Sequence, residues 1–565
     1  MTPNSFGVSV HWLQKGFQHE LKRHGKNEKS TIRSLEDFRL EDNGMIRLKG
    51  ANITCPRDCE FGAAYVDCLV GADNVGSASI LLLHSHNWSN TVGDIVKTVS
   101  DHCTSKNLDP KRCYVWIDFL CKNLHRVASS KQNGKWDASA EFQKSVLNVK
   151  EICANGNVEV LVVMGAWKQS LVLNNLWNVY EIYLCMNGEE DEAIDVKFGM
   201  SHEERASMIQ SAVYDPDALI DFTHLFNSID VEKMDNVQDD VAERNAILSM
   251  IKSYPGSKEV NLWSKDWIAN CLVDEICSDF ASTVVSEEEI DGLCSQLGPT
   301  FMQDESFNQA FRLFQKSLSI REKGLDAHGN PSNPVKMASV MQNIGLVLQN
   351  MDELDESLTY LKKALLLREK KLGIYTCDTS DSYNSVADVH FALGAFDQAM
   401  EMYKIALAIE EKLHGINNSR TATVFNNIGK IYSIMGNLDE AMFYLQQALA
   451  TREEILGADS PDVAASYNCI AAAFSRSGDH DEAVVNYKKA LAIHENLNGG
   501  GLETAAVLNA IAMTYCDKEE YKESLHYFER AIQIYKEVVG EDHPHTKVAS
   551  ESYHEVKALI YENDV

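Results

Sequence analysis

From Val335 to Thr546 the apolar and small positions recur through five units with a period of 41 to 42 residues. Self-similarity at a fixed period is the mark of a repeat architecture. Two ladders of small residues set the register: Ser357, Ala399, Ala441, Ala483 and Ser524, and, seven residues on, Ala364, Ala406, Ala448, Ala490 and Ala531. In the unit Thr421 to Asp462, Phe425, Ile428, Gly429 and Tyr432 share one helical face, Gly436 and Asn437 break the helix, and Ala441, Leu445, Ala448 and Leu449 share the face of a second. Apolar residues three, four and seven apart give each helix one buried stripe. Gly429 and Ala441 stand where a larger side chain would hold the pair apart.

A degenerate sixth unit precedes these. Glu287 to Leu297 supplies its first helix, and Phe307, Ala310, Phe314, Ser317 and Ile320 its second, followed by an insertion at His328 to Pro334. Lys547 to Tyr561, with Val548, Tyr553, Val556, Leu559 and Ile560, predicts a capping helix over the last repeat. From about Gly50 the pattern changes. Ser79 to Leu83, Arg112 to Phe119, Val158 to Gly165 and Ala193 to Phe198 are short apolar runs that predict buried strands. Thr91 to Cys103, Ala138 to Cys153 and Leu171 to Met186 lie between them at helical length. That alternation predicts a parallel sheet covered on both faces. Ligands of such sheets bind beyond the carboxyl ends of the strands, here His84 to Asn90, Asp118 to Arg126 and Gly165 to Ser170. The domain boundaries follow: a flexible N-terminal segment at 1–50 with a short helix near Val10 to Leu21 and a solvated stretch from Leu21 to Lys29, an α/β domain at 51–214, a helical connector at 215–282, the degenerate repeat at 283–334, five repeats at 335–546 and a cap at 547–565.

Charge narrows the partners. A formal net charge of −31 over 565 residues argues against a phosphate backbone as ligand, because such binding rests on Lys and Arg. The opening residues lack an apolar stretch of signal-peptide length, and no apolar run approaches a membrane span, so a cytoplasmic protein is expected. In that compartment the 14 cysteines read as reduced thiols. Cys55, Cys59 and Cys68, with His84, His86 and His102, match no strong zinc spacing, so no metal is expected. Gly71 to Ser79 has two glycines at phosphate-loop spacing but lacks the following Lys and precedes its strand, which excludes that motif.

The helix-turn-helix units, with endings such as "ALATREEILGADSPD", resemble the tetratricopeptide repeats of the kinesin light chain subgroup. That resemblance implies an all-α superhelical solenoid and a concave groove that binds peptides or proteins. A motor heavy chain is not implied, since no heptad coiled coil precedes the repeats. "YVWIDF" from Tyr114, "EFQKSVLNVKEI" from Glu141, "VLVVMGAW" from Val160 and "LWNVYEIY" from Leu176 resemble a Toll/interleukin-1 receptor (TIR) domain, of TIR/flavodoxin-like α/β fold. The motifs "CPRD" and "GAAYVDCL", with the stretch from Tyr114 to Val127, resemble a domain found in algal and protist proteins, over Cys55 to about Met186.

Two functions are implied. On the first helix of each repeat stand Gln342, Asn384, Asn426, Asn468 and Asn509, three residues before the Gly429 register. In the tetratricopeptide family this position faces the groove, and amides that both donate and accept suit the backbone of an extended peptide. Lys430 and Arg476 join them among groove positions of mixed sign. The expected function is therefore a scaffold or adaptor with a TIR-like signalling or self-association domain. The alternative is an NAD-cleaving enzyme with Glu181, four residues after Trp177, as its catalytic carboxylate, and Trp88 or Trp167 stacking on a planar ring. No cofactor is expected except NAD in that alternative.

Overall fold

Among the described residues, Phe6–Ser9 (β1), Val75–Ser77 (β2), Ile80–Leu82 (β3), Tyr114–Ile117 (β4), Glu159–Val163 (β5) and Val196–Gly199 (β6) form one sheet in the order β2-β1-β4-β3-β5-β6. The computed structural model describes residues 6–30, 75–82, 91–117, 158–163, 176–187, 196–215, 230–234, 241–253, 255–324, 331–498, 501–541 and 543–563, with a few isolated positions between them. Strands β4, β3, β5 and β6 are parallel, with Ile80 level with both Val115 and Glu159 and Val160 level with Val196. Ile80, Leu81, Leu82 and Val160 to Val163 are all buried, the continuous apolar run that a parallel strand covered on both faces requires.

The four predicted strands are present, and the sheet is larger than predicted. Strand β1 runs antiparallel to both β2 and β4, so the sheet is mixed. Taken alone in chain order, the parallel strands run 2-1-3-4, an order shared by many doubly wound sheets that fixes an architecture but no family. The short helix expected near Val10 to Leu21 is present, but residues 6–23 are built into the sheet unit and are not a free segment. Val8 is fully buried in β1, and the helical run Val10–Trp12, Leu13–Phe17 and Gln18–Arg23 buries Val10, Leu13, Phe17 and Leu21. These anchors are few, but their spacings of three and four put them on one face.

Helix Val92–Ser105 starts with a Thr91–Asp94 capping box and buries Val92, Ile95, Val96, Val99 and Cys103. Of the helix expected over Ala138 to Cys153, residues 146–147, 149–150 and 152–153 are described, all helical. Helix Ser257–Cys277 packs under the sheet, where the Trp267 indole donates to the Val196 carbonyl at 3.2 Å. Arg205 pairs with Glu275 at 2.7 Å and stacks over Phe280, 4.1 Å from its centroid.

The repeats alternate a first and a second helix: Pro334–Asn350 and Leu354–Leu372, Cys377–Ala392 and Phe396–His414, Ser419–Ile434 and Leu438–Leu456, Pro461–Ser477 and His480–Asn498, Leu502–Asp517 and Tyr521–Val538. Helix Pro544–Asn563 follows and buries Ala549 and Val556. A Cβ on Gly345 would sit 2.5 Å from Leu361 Cγ and 3.3 Å from the Ser357 carbonyl oxygen; on Gly429 it would sit 2.7 Å from Leu445 Cγ and 3.2 Å from the Ala441 oxygen. The small ladders therefore mark direct helix contact. Where Ser replaces Ala it adds a bond: Ser357 Oγ donates to the Gly345 carbonyl at 2.6 Å and Ser524 Oγ to that of Ala512 at 2.8 Å.

The degenerate unit is Glu287–Gln303 with Phe307–Lys323, and a Cβ on Gly298 would meet the Phe314 ring at 2.4 Å, the same 16-residue pairing as Gly345 with Leu361. The chain divides into Met1–Lys316 and Ser317–Val565, so the boundary falls inside this unit's second helix and not at 282/283. Polar bonds join the start of that helix to helix Ser257–Cys277. Arg312 pairs with Asp274, Gln309 donates to Asp266, and Lys316 Nζ donates to the Cys277 carbonyl at 3.0 Å.

Candidate functional site

When helix pairs repeat in register, one position per first helix falls on a common line. Gln342, Asn384, Asn426, Asn468 and Asn509 occupy such a line, each three residues before the small residue that touches the second helix. Successive first helices meet beside it. Gln342 Nε2 donates to Ser385 Oγ at 3.4 Å, Asn426 Nδ2 to Cys469 Sγ at 3.4 Å, and Arg476 Nη1 to Ser433 Oγ at 3.3 Å. Each pair spans 43 residues, and in the first two an amide of one repeat abuts the residue following the amide register in the next.

Asn426 is 3% exposed, and the other four amides are half-buried. The Oδ1 atoms of Asn384, Asn426, Asn468 and Asn509 are buried and accept no hydrogen bond from the protein. Among the described residues ten buried side-chain atoms are in that state, and four of them belong to this register. Leaving one buried polar atom unsatisfied costs about 1–3 kcal/mol, so a row of four is a feature that needs a cause. Gln342 departs from the row: its Oε1 accepts from Arg368 and from Ser382 Oγ.

Lys430 and Arg476 are exposed. Lys430 stands near Asp388, which also accepts from the Tyr403 hydroxyl. Burial pushes the Asp388 carboxyl above its ordinary value, against the opposing pull of Tyr403 and Lys430. Charges beneath this surface escaped the sequence reading. Arg368 and Arg452, both under 10% exposed, donate to the Asp378 and Asp462 carbonyls and to Ser382 and Ser466 Oγ. Glu410, fully buried at the same register, accepts both 3.0 Å bonds from Arg420 Nε. The available signal was the 42-residue spacing Arg368, Glu410, Arg452.

Glu181 lies on helix Leu176–Met186, and at 2% exposure it sits in the core and not at the margin predicted for it. Its neighbours Val179, Tyr180, Ile182, Tyr183 and Cys185 are buried too, because this helix is apolar on nearly every side. Burial first, and then the Glu181 charge, hold the Cys185 thiol well above its ordinary value. Trp88, Trp167 and the three expected strand-end segments lie outside the described residues, as do the Trp177 side chain and Cys55, Cys59, Cys68, His84 and His86. His102 is described, and its Nε2 is hydrogen-bonded to Glu159 at 2.6 Å. Among the described residues no helix is long and apolar enough to cross a membrane.

Paired helices in register, with a row of amides along the first of each pair, define a tetratricopeptide solenoid. Residues 336–412, 378–454 and 420–496 match one tetratricopeptide repeat model and residues 504–545 a second. No curated protein matches the chain. Solved structures similar to it include BtubC (BKLC) from P. vanneervenii, 20% identical over 42% of this chain and 94% of that one, with a TM-score of 0.35. A Podosopora anserina protein with "kinesin light chain nearly identical TPR-like repeats" is also 20% identical, over 36% of this chain and 98% of that one, with a TM-score of 0.32. YrrB, described as a TPR protein with an unusual peptide-binding site, is 20% identical over 38% and 92%, with a TM-score of 0.24.

Proposed function

We propose that the repeats are a protein-interaction scaffold that holds an extended polypeptide segment by its backbone along Asn384, Asn426, Asn468 and Asn509. The observation that carries this reading is the row of four amide oxygens without a protein partner. Rotation about χ2 exchanges the oxygen and nitrogen of an amide, so the same side chain offers a peptide a donor or an acceptor. Backbone pairing of this kind is indifferent to ligand sequence, and Lys430, Arg476 and Asp388 beside the row supply the side-chain selection. The test is a peptide array probed with the full chain, followed by Asn426→Ala with Asn468→Ala. Each lost bond is worth about 0.5–1.5 kcal/mol, so the double variant weakens a selected peptide from several-fold to over a hundredfold while the melting temperature stays close to wild type. Early melting with unchanged peptide affinity rejects the reading.

For the sheet unit we propose the TIR-like reading, as a self-association or signalling module. Its support is the likeness of the motifs between Tyr114 and Tyr183, with Glu181 four residues after Trp177, to that family; the 2-1-3-4 order of the parallel strands is compatible with it and does not select it. The full chain at a concentration where sedimentation shows association is the material to assay. NAD consumption that disappears in Glu181→Gln identifies the enzyme alternative, and association without consumption leaves the module.

A further inference from the structure

The second helices of the repeats outrun their cover. They are 19 residues long in the first four repeats, against 16 or 17 for the first helices. Their apolar face continues into that excess length. Ile409, Thr451 and Ile493 are buried, and four residues on, on the same face, Leu413, Ile455 and Leu497 are 38%, 46% and 45% exposed. In the fifth repeat Ile534, partly buried, and Val538, 50% exposed, hold these positions, whereas the first repeat has Lys371 at this register. Single exposed apolar residues are ordinary, but four at one-repeat spacing on the ends of parallel helices form a row. Ile416 and Leu456, also exposed, lie beside it.

The row is edged by acid. Glu454 and Glu537, both exposed, stand one residue before Ile455 and Val538, whereas Glu411 and Glu495 stand two before their members, nearer the opposite face of the helix, and Glu495 pairs with Arg530 at 2.7 Å. The nearby cations are engaged: Lys412 Nζ lies 3.3 Å from the Tyr375 ring centroid, and Lys536 pairs with Glu541. We infer that Leu413, Ile455, Leu497 and Val538 form a second docking surface, separate from the amide row, for a basic amphipathic segment of a partner polypeptide. Apolar anchors on such a segment cover the row, and its Lys and Arg side chains meet the flanking carboxylates. A second copy of this chain is disfavoured by the net charge of −31 that each copy carries.

The probe is a labelled amphipathic peptide of about 18 residues, with Leu at helical spacing and Lys elsewhere, titrated against the full chain. A companion peptide carries Glu in place of Lys. The Lys peptide is expected to bind, more weakly as salt rises, and the Glu peptide is not. Ile455→Ser with Leu497→Ser lowers affinity by about tenfold or more. Phe443→Ser with Val485→Ser, which removes two exposed apolar residues one repeat apart elsewhere on the same helices, leaves it unchanged. Asn426→Ala with Asn468→Ala also leaves it unchanged, which separates this surface from the amide row. All four serine positions are exposed, so melting temperatures serve as the folding check. Failure of the wild-type chain to bind the Lys peptide overturns the inference, as does equal loss in both serine pairs or equal binding of the Glu peptide. Self-association of the full chain that Ile455→Ser with Leu497→Ser abolishes overturns it in favour of a second copy.

Discussion

Asp388, one helical turn beyond Asn384, shows how one side chain is tuned by its surroundings. Burial disfavours its charge, while Tyr403 and Lys430 favour it, and burial is the larger effect. The folded protein therefore holds the Asp388 proton more tightly than the unfolded chain does. The stability linked to that proton is fully present below the unfolded value of about 3.9 and is lost as pH rises through the raised folded value. Asp388→Asn keeps an acceptor for Tyr403 without the charge. It is expected to raise the melting temperature at pH 7 and to lose that advantage near pH 3, read as melting curves at the two values. A lower melting temperature at pH 7 would mean that the attraction to Lys430 outweighs burial. The amide row was legible in the sequence because its spacing is that of the repeat. What separates Gln342 from the four asparagines was not legible, since it depends on Arg368 reaching across from the second helix.

Between repeats the chain alternates two ways of holding a buried charge at one register. In the first and third repeats Arg368 and Arg452 extend forward to backbone carbonyls and serine hydroxyls of the next helix. In the second, the cation has moved into that next helix as Arg420, and Glu410 takes its place, with Asp381 also accepting from Arg420 at 2.6 Å. Placing an Arg-bearing second helix against Arg420 would oppose like charges, so the alternation favours one order of repeats over a slipped one. Glu410→Gln leaves Arg420 half-paired. Breaking a fully buried pair costs about 3–5 kcal/mol, but Arg420 is partly exposed and keeps Asp381, so a loss of about 1–3 kcal/mol is expected from urea denaturation followed by helix signal. An unchanged midpoint would show that water replaces the lost acceptor. At this scale the repeats were readable because five copies of one pattern reinforce each other. Strands β1 and β2 were not, since Phe6–Ser9 and Val75–Ser77 are four and three residues long, each with a glycine, and owe their pairing to distant neighbours.

In the whole molecule the boundary between units falls inside the degenerate repeat, where repeat pattern and polar bonding assign one helix differently. By sequence the degenerate repeat belongs with the solenoid, and its Gly298 and Phe314 pack as the later repeats do. By bonding its second helix belongs with Ser257–Cys277, through Gln309, Arg312 and Lys316. A fragment cut at Thr283 therefore exposes the acceptors Asp266, Asp274 and the Cys277 carbonyl on one side and strands their three donors on the other. A fragment of residues 334–565 breaks none of these bonds and keeps five complete repeats with helix Pro544–Asn563 over the last. Because each repeat is stabilised chiefly by its neighbours, this shorter fragment is expected to be soluble, helical by circular dichroism and cooperative in melting. The fragment 283–565 is expected to gain little or no stability from its additional 51 residues. Equal amide-exchange protection of Phe307–Lys323 in 283–565 and in the full chain would show that the helix is held by the solenoid after all, and that the bonds to Ser257–Cys277 only decorate it.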